Sequence, residues 1–135
     1  MLDGLAVTDR DQQILDLNQT MLNSVVAGDW TTYSSYCSHD ISCFEAETEG
    51  HLVEGLPFHQ YYFNLALGED APASEVSVTM VRPHLRWLHE HAVVLSYTRL
   101  TQRLQGGAPV TGCCSETRVW CWQEDRWMQV HVHRS

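Results

Sequence analysis

Apolar residues in the first third of the chain recur every three or four positions. Over 14–26 this spacing places them along one side of a helix, which predicts an amphipathic helix. Thr8, followed three residues later by Asp11, is a predicted N-cap, and Gly28 is a predicted helix stop. Asp29 is then placed to cap a short second turn. The pattern therefore predicts two consecutive helical segments before the first strand.

A short strand and a third helix follow in the predicted order. Apolar residues around Ile41 and Phe44 predict a strand over 40–45. Pro57 suits the first turn of a helix, because the N–H that proline lacks would have no helical partner there. Gly68 is the predicted end of this third helix.

The second half of the chain changes to the alternating pattern of β-strands. Four strands are predicted, over 75–87, 91–104, 110–122 and 126–134. The connections between them are short, so consecutive strands should pair antiparallel in a meander. Helices followed by antiparallel strands form an α+β pattern. A curved sheet with the helices packed across one face would leave a conical pocket between the two layers.

Length and charge narrow the classes of protein that fit. The chain has 135 residues, which suits one domain with its own core. It carries 17 acidic residues, eight arginines and no lysine, for a formal net charge of −9. Such a chain is a poor candidate for binding nucleic acid or an anionic membrane. No apolar run is long enough to span a membrane, and no secretory signal is visible. We therefore expect a cytoplasmic protein whose five cysteines are reduced.

Three arginines fall on the predicted inward face of neighbouring strands. Arg99, Arg118 and Arg134 each share the parity of apolar residues in their own strand. A buried guanidinium group is costly unless it is paired or ligated. The arginines could converge on a pocket that binds a carboxylate or phosphate through bidentate hydrogen bonds. They could instead pair with carboxylates of the chain itself. The candidates for such internal pairing are Glu45, Glu54 and Glu116.

Other residues with chemical potential give weaker signals. His131 and His133 would share one face of the last strand, but two histidines alone are a weak metal signal, and we predict no metal. His59 could act as an acid, a base or an anion partner, or be a packed helix histidine. No nucleophile elbow, phosphate-binding loop or dinucleotide fingerprint occurs, so we predict no cofactor. The candidate pocket bases are the carboxylates on or near the early strands: Asp40, Glu45 and Glu54.

Several stretches, in this order and spacing, are similar to one known family. The similarity covers nearly the whole chain, from about Asp9 to Ser135. The stretches that carry it are Gly28-Asp29-Trp30, Phe44-Glu45-Ala46, Leu52-Val53-Glu54-Gly55-Leu56, Phe58-His59-Gln60-Tyr61-Tyr62-Phe63, Arg99-Leu100-Thr101-Gln102, Ser115-Glu116-Thr117-Arg118-Val119-Trp120 and Val130-His131-Val132-His133-Arg134-Ser135. Together they resemble the association (hub) domain of calcium/calmodulin-dependent protein kinase II.

This resemblance implies a fold, an assembly and a ligand site. The fold would be the cone-shaped α+β type of nuclear transport factor 2 and ketosteroid isomerase, with N-terminal helices on a curved antiparallel sheet. Residues 1–8 would be an N-terminal extension and residues 9–135 the hub domain. The domain would be a non-catalytic scaffold that forms two stacked rings, commonly of about twelve or fourteen subunits. Kinase hub domains are candidate partners. The implied pocket, which would hold small carboxylates, is lined by Arg99, Arg118, Arg134 and His59.

Two other functions stay open on the residues alone. One is a small isomerase or dehydratase-type enzyme on the same fold, which would need an inward carboxylate or histidine inside an otherwise apolar cavity. Three inward arginines argue against an apolar substrate. The other is a dimeric ligand-binding module, which would lack the apolar surface needed to close rings. Trp122, at a position where the family is basic, favours ring closure over the dimer.

Overall fold

The computed structural model describes residues 7–67 and 76–135. In this part of the chain, three helices lie against one six-stranded sheet. None of the described helices is both long and apolar enough to cross a membrane. The α+β class predicted from the pattern is therefore the observed one.

The first helix, α1, spans Asp9–Val26 and has both of its predicted boundaries. The Thr8 hydroxyl accepts a hydrogen bond from the backbone N–H of Asp11, and the Asp11 carboxylate accepts one from the backbone N–H of Thr8. This reciprocal pair satisfies donors that the first helical turn would otherwise leave free. Gly28 follows the helix with φ of 69°, a left-handed conformation that suits glycine at a helix end.

Two shorter helices complete the layer. α2 spans Trp30–Ser35, and Asp29 caps it by accepting from the backbone N–H of Thr32, as predicted. α3 spans Leu56–Leu67, with Pro57 in its first turn. The predicted end of α3 at Gly68 lies outside the described residues.

The four long strands of the second half are confirmed, together with their short turns. The first-half strand is longer than predicted, and a two-residue strand and a 3-10 turn at Ala46–Thr48 had no sequence signal. The strands are β1 Cys37–Phe44, β2 Val53–Glu54, β3 Val76–His89, β4 Ala92–Gln105, β5 Ala108–Gln123 and β6 Arg126–Arg134.

The sheet is mixed, which corrects the prediction of an antiparallel sheet. Its strand order is β2-β1-β6-β5-β4-β3. The meander from β3 to β6 is antiparallel, as expected, but β1 runs parallel to β6, with Ser42 opposite His131. Short connections fix the direction of consecutive strands. They do not constrain a pair formed by β1 and the last strand of the chain.

The two faces of the sheet differ in what covers them. Leu95, Arg118 and Val132 lie opposite one another on β4, β5 and β6, and all three are buried. We call their side the inner face, because its apolar residues pack with Ile14 and Met21 of α1 in one core. The alternate residues on these strands point to the opposite, outer face.

Candidate functional site

Arg118 lies at the centre of a buried polar network on the inner face. Only 2% of the residue is exposed. Its Nε donates to the Tyr97 hydroxyl at 3.1 Å and to the Glu116 carboxylate at 3.2 Å. One terminal nitrogen donates to Gln129 Oε1 at 2.6 Å and to the Tyr33 hydroxyl at 3.3 Å. These bonds tie α2 to β4, β5 and β6 through one side chain.

Glu116 is the buried carboxylate that balances the arginines. Tyr97 donates to its Oε1 at 2.5 Å, and Arg99 donates to its Oε2 at 2.9 Å. Burial alone would raise the pKa of Glu116, but the guanidinium groups of Arg118 and Arg99 lower that pKa to about 2. The carboxylate is therefore ionised near neutral pH and bridges two arginines.

Arg134 has its own carboxylate partners on the segment after β1. It donates to Glu47 Oε1 at 2.5 Å, and its Nε lies 3.9 Å from Glu45 Oε1. Burial raises the pKa of Glu45 although Arg134 and Arg118 act to lower it. Internal pairing, one of the two explanations open from the sequence, thus accounts for the positions of all three arginines. Its third predicted partner, Glu54, is exposed and takes no part in these pairs.

Two buried polar atoms at this site lack a hydrogen-bond partner among the described residues. They are Nε of Arg99 and Oε2 of Glu45. Such atoms are rare inside proteins, because each forfeits the hydrogen bonds it made in water. The Arg99 Nε is a donor that an incoming acceptor atom could satisfy.

His59 of α3 joins the same network through Tyr33. Its Nε2 lies 2.7 Å from the Tyr33 hydroxyl, and its Nδ1 lies 3.1 Å from Cys43 Sγ. The residue is 1% exposed. Burial, reinforced by the nearby charge of Arg118, lowers the pKa of His59 to about 4. The imidazole is therefore neutral at physiological pH, and the four predicted site residues lie on or beside one connected network.

Sequence reasoning missed three uncharged members of this network. The hydroxyl groups of Tyr33 and Tyr97, which accept from Arg118, gave no signal in the sequence. Gln129 has the wrong parity for the inner face. The register of β6 against β5 shifts here, because Val119 pairs with His131 but the next residue, Trp120, pairs with Gln129. A bulge of this kind adds one residue and reverses which side chains face the core.

The other candidates lie away from the network. Asp40 is exposed on β1. His131 bonds through Nδ1 to the Ser42 hydroxyl at 2.7 Å, and the exposed His133 packs beside Phe44 with ring centroids 5.3 Å apart. No group of three histidine, cysteine, aspartate or glutamate side chains in 7–67 and 76–135 is placed to hold a metal ion.

A family model decides the relationship. The model of the calcium/calmodulin dependent protein kinase II association domain matches residues 10–135. The chain belongs to this family. The resemblance described from its sequence stretches is thereby confirmed over nearly the whole chain.

Relatives of known identity and structure agree with this assignment. The chain is 36% identical to the Drosophila melanogaster calcium/calmodulin-dependent protein kinase type II alpha chain, over 93% of this chain and 24% of that one. It thus spans about a quarter of the length of the curated relatives that it matches. The hub homology domain of Chlamydomonas reinhardtii is 42% identical, with a TM-score of 0.82 over 95% of this chain and 98% of that one. The Caenorhabditis elegans association domain is 36% identical, also with a TM-score of 0.82, over 93% of this chain and 95% of that one.

The fold itself extends further than the family. A nuclear transport factor 2-like protein from Salmonella enterica is only 17% identical but has a TM-score of 0.71 over 92% of this chain. At this identity the likeness shows the fold and no shared activity. It confirms the predicted nuclear transport factor 2-like architecture.

Proposed function

We propose that this chain is a non-catalytic oligomerisation hub that assembles with copies of itself into stacked rings of twelve or more subunits. The observation that carries the proposal is the family match over residues 10–135. The nearly complete mutual coverage with a solved hub homology domain supports it. Association domains of this family assemble as homo-oligomers, so self-association is the property expected of this domain.

Native mass spectrometry of the purified chain tests this assembly, with light scattering as an independent measurement. A closed species of twelve or more subunits supports the hub. A monomer or dimer at micromolar concentration contradicts it, and a dimer supports the binding-module alternative. Mixing the chain with an intact kinase of the family, followed by the same measurement, tests the further proposal that kinase hub domains are partners.

We also propose that the arginine network binds small carboxylates. Arg99 and Arg134 are the arginines available for this, since each is partly exposed, with 14% and 18% of its side chain accessible. Arg118 is buried and makes four hydrogen bonds to residues of the chain, so it holds the site in place. The Nε of Arg99 has no hydrogen-bond partner among the described residues, and it could donate to a carboxylate ligand bound beside Arg99.

Acetate titration, followed by calorimetry or by NMR shifts of the arginine side chains, tests this ligand class. Replacing Arg99 or Arg134 with Gln should weaken acetate binding at least about tenfold, because each removes a charge-assisted hydrogen bond. Arg126→Gln is the matched control, since Arg126 is an exposed arginine at the start of β6. Unchanged affinity in the Arg99 and Arg134 variants would show that acetate does not bind here.

The electrostatics of the network support a non-catalytic role over the isomerase-type alternative. A catalytic base should have a pKa near the working pH. The arginines instead lower the pKa of Glu116 to about 2, which makes it a weak base. His59 is buried and bonded on both nitrogens.

We place this scaffold in the cytoplasm, a location consistent with its five unpaired cysteines.

A further inference from the structure

One row of residues crosses all six strands on the outer face of the sheet. Each member is the register partner of the next, so the row runs without a break from one edge of the sheet to the other. In order, its members are Glu54, Ser42, His131, Val119, Val94 and Arg86.

The two ends of this row carry opposite charges. Glu54 lies on β2, at one edge of the sheet, and Arg86 lies on β3, at the other. Both are exposed. The four residues between them carry no formal charge near neutral pH, since burial and the neighbouring His133 lower the pKa of His131. This row is therefore polarised across the strands of the sheet, with the charges at its two ends.

Neighbouring residues give each edge the same sign as its terminal residue. β3 contains Arg82 and Arg86 and no acidic residue over 76–89. At the other edge, Asp40 of β1 is exposed like Glu54. None of the ion pairs formed within the described residues uses Arg82, Arg86 or Glu54. Both edges thus present charges that the described part of the subunit does not use.

The backbone of β3 favours a contact made through side chains. Arg82 has φ of 55°, and the pairing of β3 with β4 is irregular between Val81 and His84. Pro83 lies in this irregular segment and has no N–H to donate. Bulges and prolines of this kind prevent an edge strand from adding another strand by backbone pairing.

We propose that the β3 edge of one subunit binds the β2 edge of the next, with Arg86 facing Glu54 of a second copy of this chain. This inference rests on the proposed ring assembly and names the contact that forms the ring. Because two different edges meet, the contact is head to tail, and repetition of such a contact generates a closed ring when the rotation closes. Charge complementarity also sets the direction and register of the contact.

Charge swapping tests this contact in the full chain. Arg86→Glu gives a subunit with an acidic residue at both ends of the row, and Glu54→Arg gives one with a basic residue at both ends. Each variant alone should lose the ring. Mixed in equal amounts, they should form rings with an even number of subunits in which the two variants alternate, because every contact then joins opposite charges. Sedimentation velocity and native mass spectrometry measure both results at one protein concentration and ionic strength.

The design separates a specific contact from general repulsion. The two substitutions move the net charge of each chain in opposite directions, from −9 to −11 and to −7. General repulsion between subunits therefore predicts opposite effects, whereas the proposed contact predicts the same loss. Arg126→Glu and Glu124→Arg make the same charge changes at exposed positions of the β5–β6 hairpin. Both controls should keep the ring.

Each result has a defined meaning. Loss of the ring in both variants with recovery in the mixture supports the edge contact. A ring that survives in either variant overturns it. Failure of the mixture to reassemble also overturns it when circular dichroism shows that both variants are folded. If the wild-type chain forms no ring at all, the proposed hub function fails first. If the wild-type chain and both variants all form the ring, the proposed contact is rejected and the proposed hub function stands.

Discussion

At the residue scale, Arg118 and Glu116 depend on each other. Both are 2% exposed, and the Arg118 Nε lies 3.2 Å from Glu116 Oε1. A buried ion pair contributes little compared with apolar residues of equal volume, but removal of one partner leaves an uncompensated charge in the core. Arg118 is thus a residue that holds the fold around the site. A variant at Arg118 would confuse a loss of binding with a loss of structure.

We predict that Arg118→Met destabilises the protein by about 3–5 kcal/mol, because Glu116 then keeps only Arg99 as a charged partner. The double variant Arg118→Met with Glu116→Gln should cost less than the sum of the single changes. Urea unfolding at one protein concentration measures both, and Arg126→Met should stay within about 0.5 kcal/mol of the wild type. Additive costs for the two substitutions would contradict the coupling.

We predict that His59 makes stability fall as the pH is lowered from about 6.5 to about 4. The pKa of His59 is about 4 in the folded chain, below the value near 6.5 of an unfolded histidine. In this window the unfolded state binds a proton that the folded state excludes, so unfolding becomes easier as pH falls. The whole loss is about 3 kcal/mol.

Urea midpoints between pH 7 and 4.5 measure the effect of His59. His59→Gln can still bond to Tyr33 and should flatten the curve. His39→Gln, at an exposed position of β1 outside this network, is the matched control. Some slope should persist in the His59 variant, since the pKa of His131 is also lowered. An identical pH dependence in wild type and His59→Gln would contradict the prediction, because it would show that protonation of His59 does not change the free energy of unfolding.

Residue parity located the arginines but could not identify their partners. Strand alternation is a local property, so Arg99, Arg118 and Arg134 were placed on the inner side from their own strands. The choice of Glu116 over Glu54 depends on register between strands and on which end of the sheet each carboxylate occupies. Gln129 was missed because one irregular step in β6 reversed its parity.

At the element scale, α1 is attached to the sheet by specific polar contacts as well as by its apolar stripe. Asn18, fully buried, accepts from the Trp120 indole N–H at 3.1 Å and donates to Met80 Sδ at 3.2 Å. Near the start of the helix, the Trp87 indole donates to Asp11 at 2.7 Å. A buried indole N–H needs such a partner. These bonds fix how far along the sheet the helix lies.

We predict that Asn18→Ala destabilises the protein by about 1–3 kcal/mol, because the buried N–H of Trp120 loses its acceptor. Asn23→Ala is the matched control, since Asn23 is exposed on the same helix. Urea unfolding followed by tryptophan fluorescence and by circular dichroism gives both values. Equal stability of the two variants would mean that water or another group replaces Asn18 without cost.

The elements with local signals were the ones that the sequence predicted. The Thr8 capping box and the short turns of the meander involve residues a few positions apart, so their chemistry is visible in one stretch of chain. β2 has two residues and exists because it pairs with Ser42 and Cys43. A strand so short carries no periodicity of its own.

At the scale of the whole molecule, the last strand of the chain occupies a central place in the sheet. β6 pairs with β5 on one side and with β1 on the other, so it joins the meander to the first-half strands. This parallel closure could not be predicted, because it pairs residues about ninety positions apart, such as Ser42 and His131. It also brings Glu45 and Glu47 to Arg134, and with them one side of the candidate site.

We predict that ending the chain at Asp125 abolishes cooperative folding, because removal of β6 leaves β1 and β2 without their connection to the rest of the sheet. Removal of Ser135 alone is the control. It deletes the two backbone hydrogen bonds with Ser115, at 2.8 and 2.9 Å, and keeps every strand. Thermal unfolding by calorimetry should show no transition for the first variant and a slightly lowered Tm for the second. A cooperative transition in the chain that lacks β6 would contradict this prediction. It would mean that the helices and the meander from β3 to β5 form a stable core without β6. The candidate site, which includes residues of β6, would then not be needed for folding.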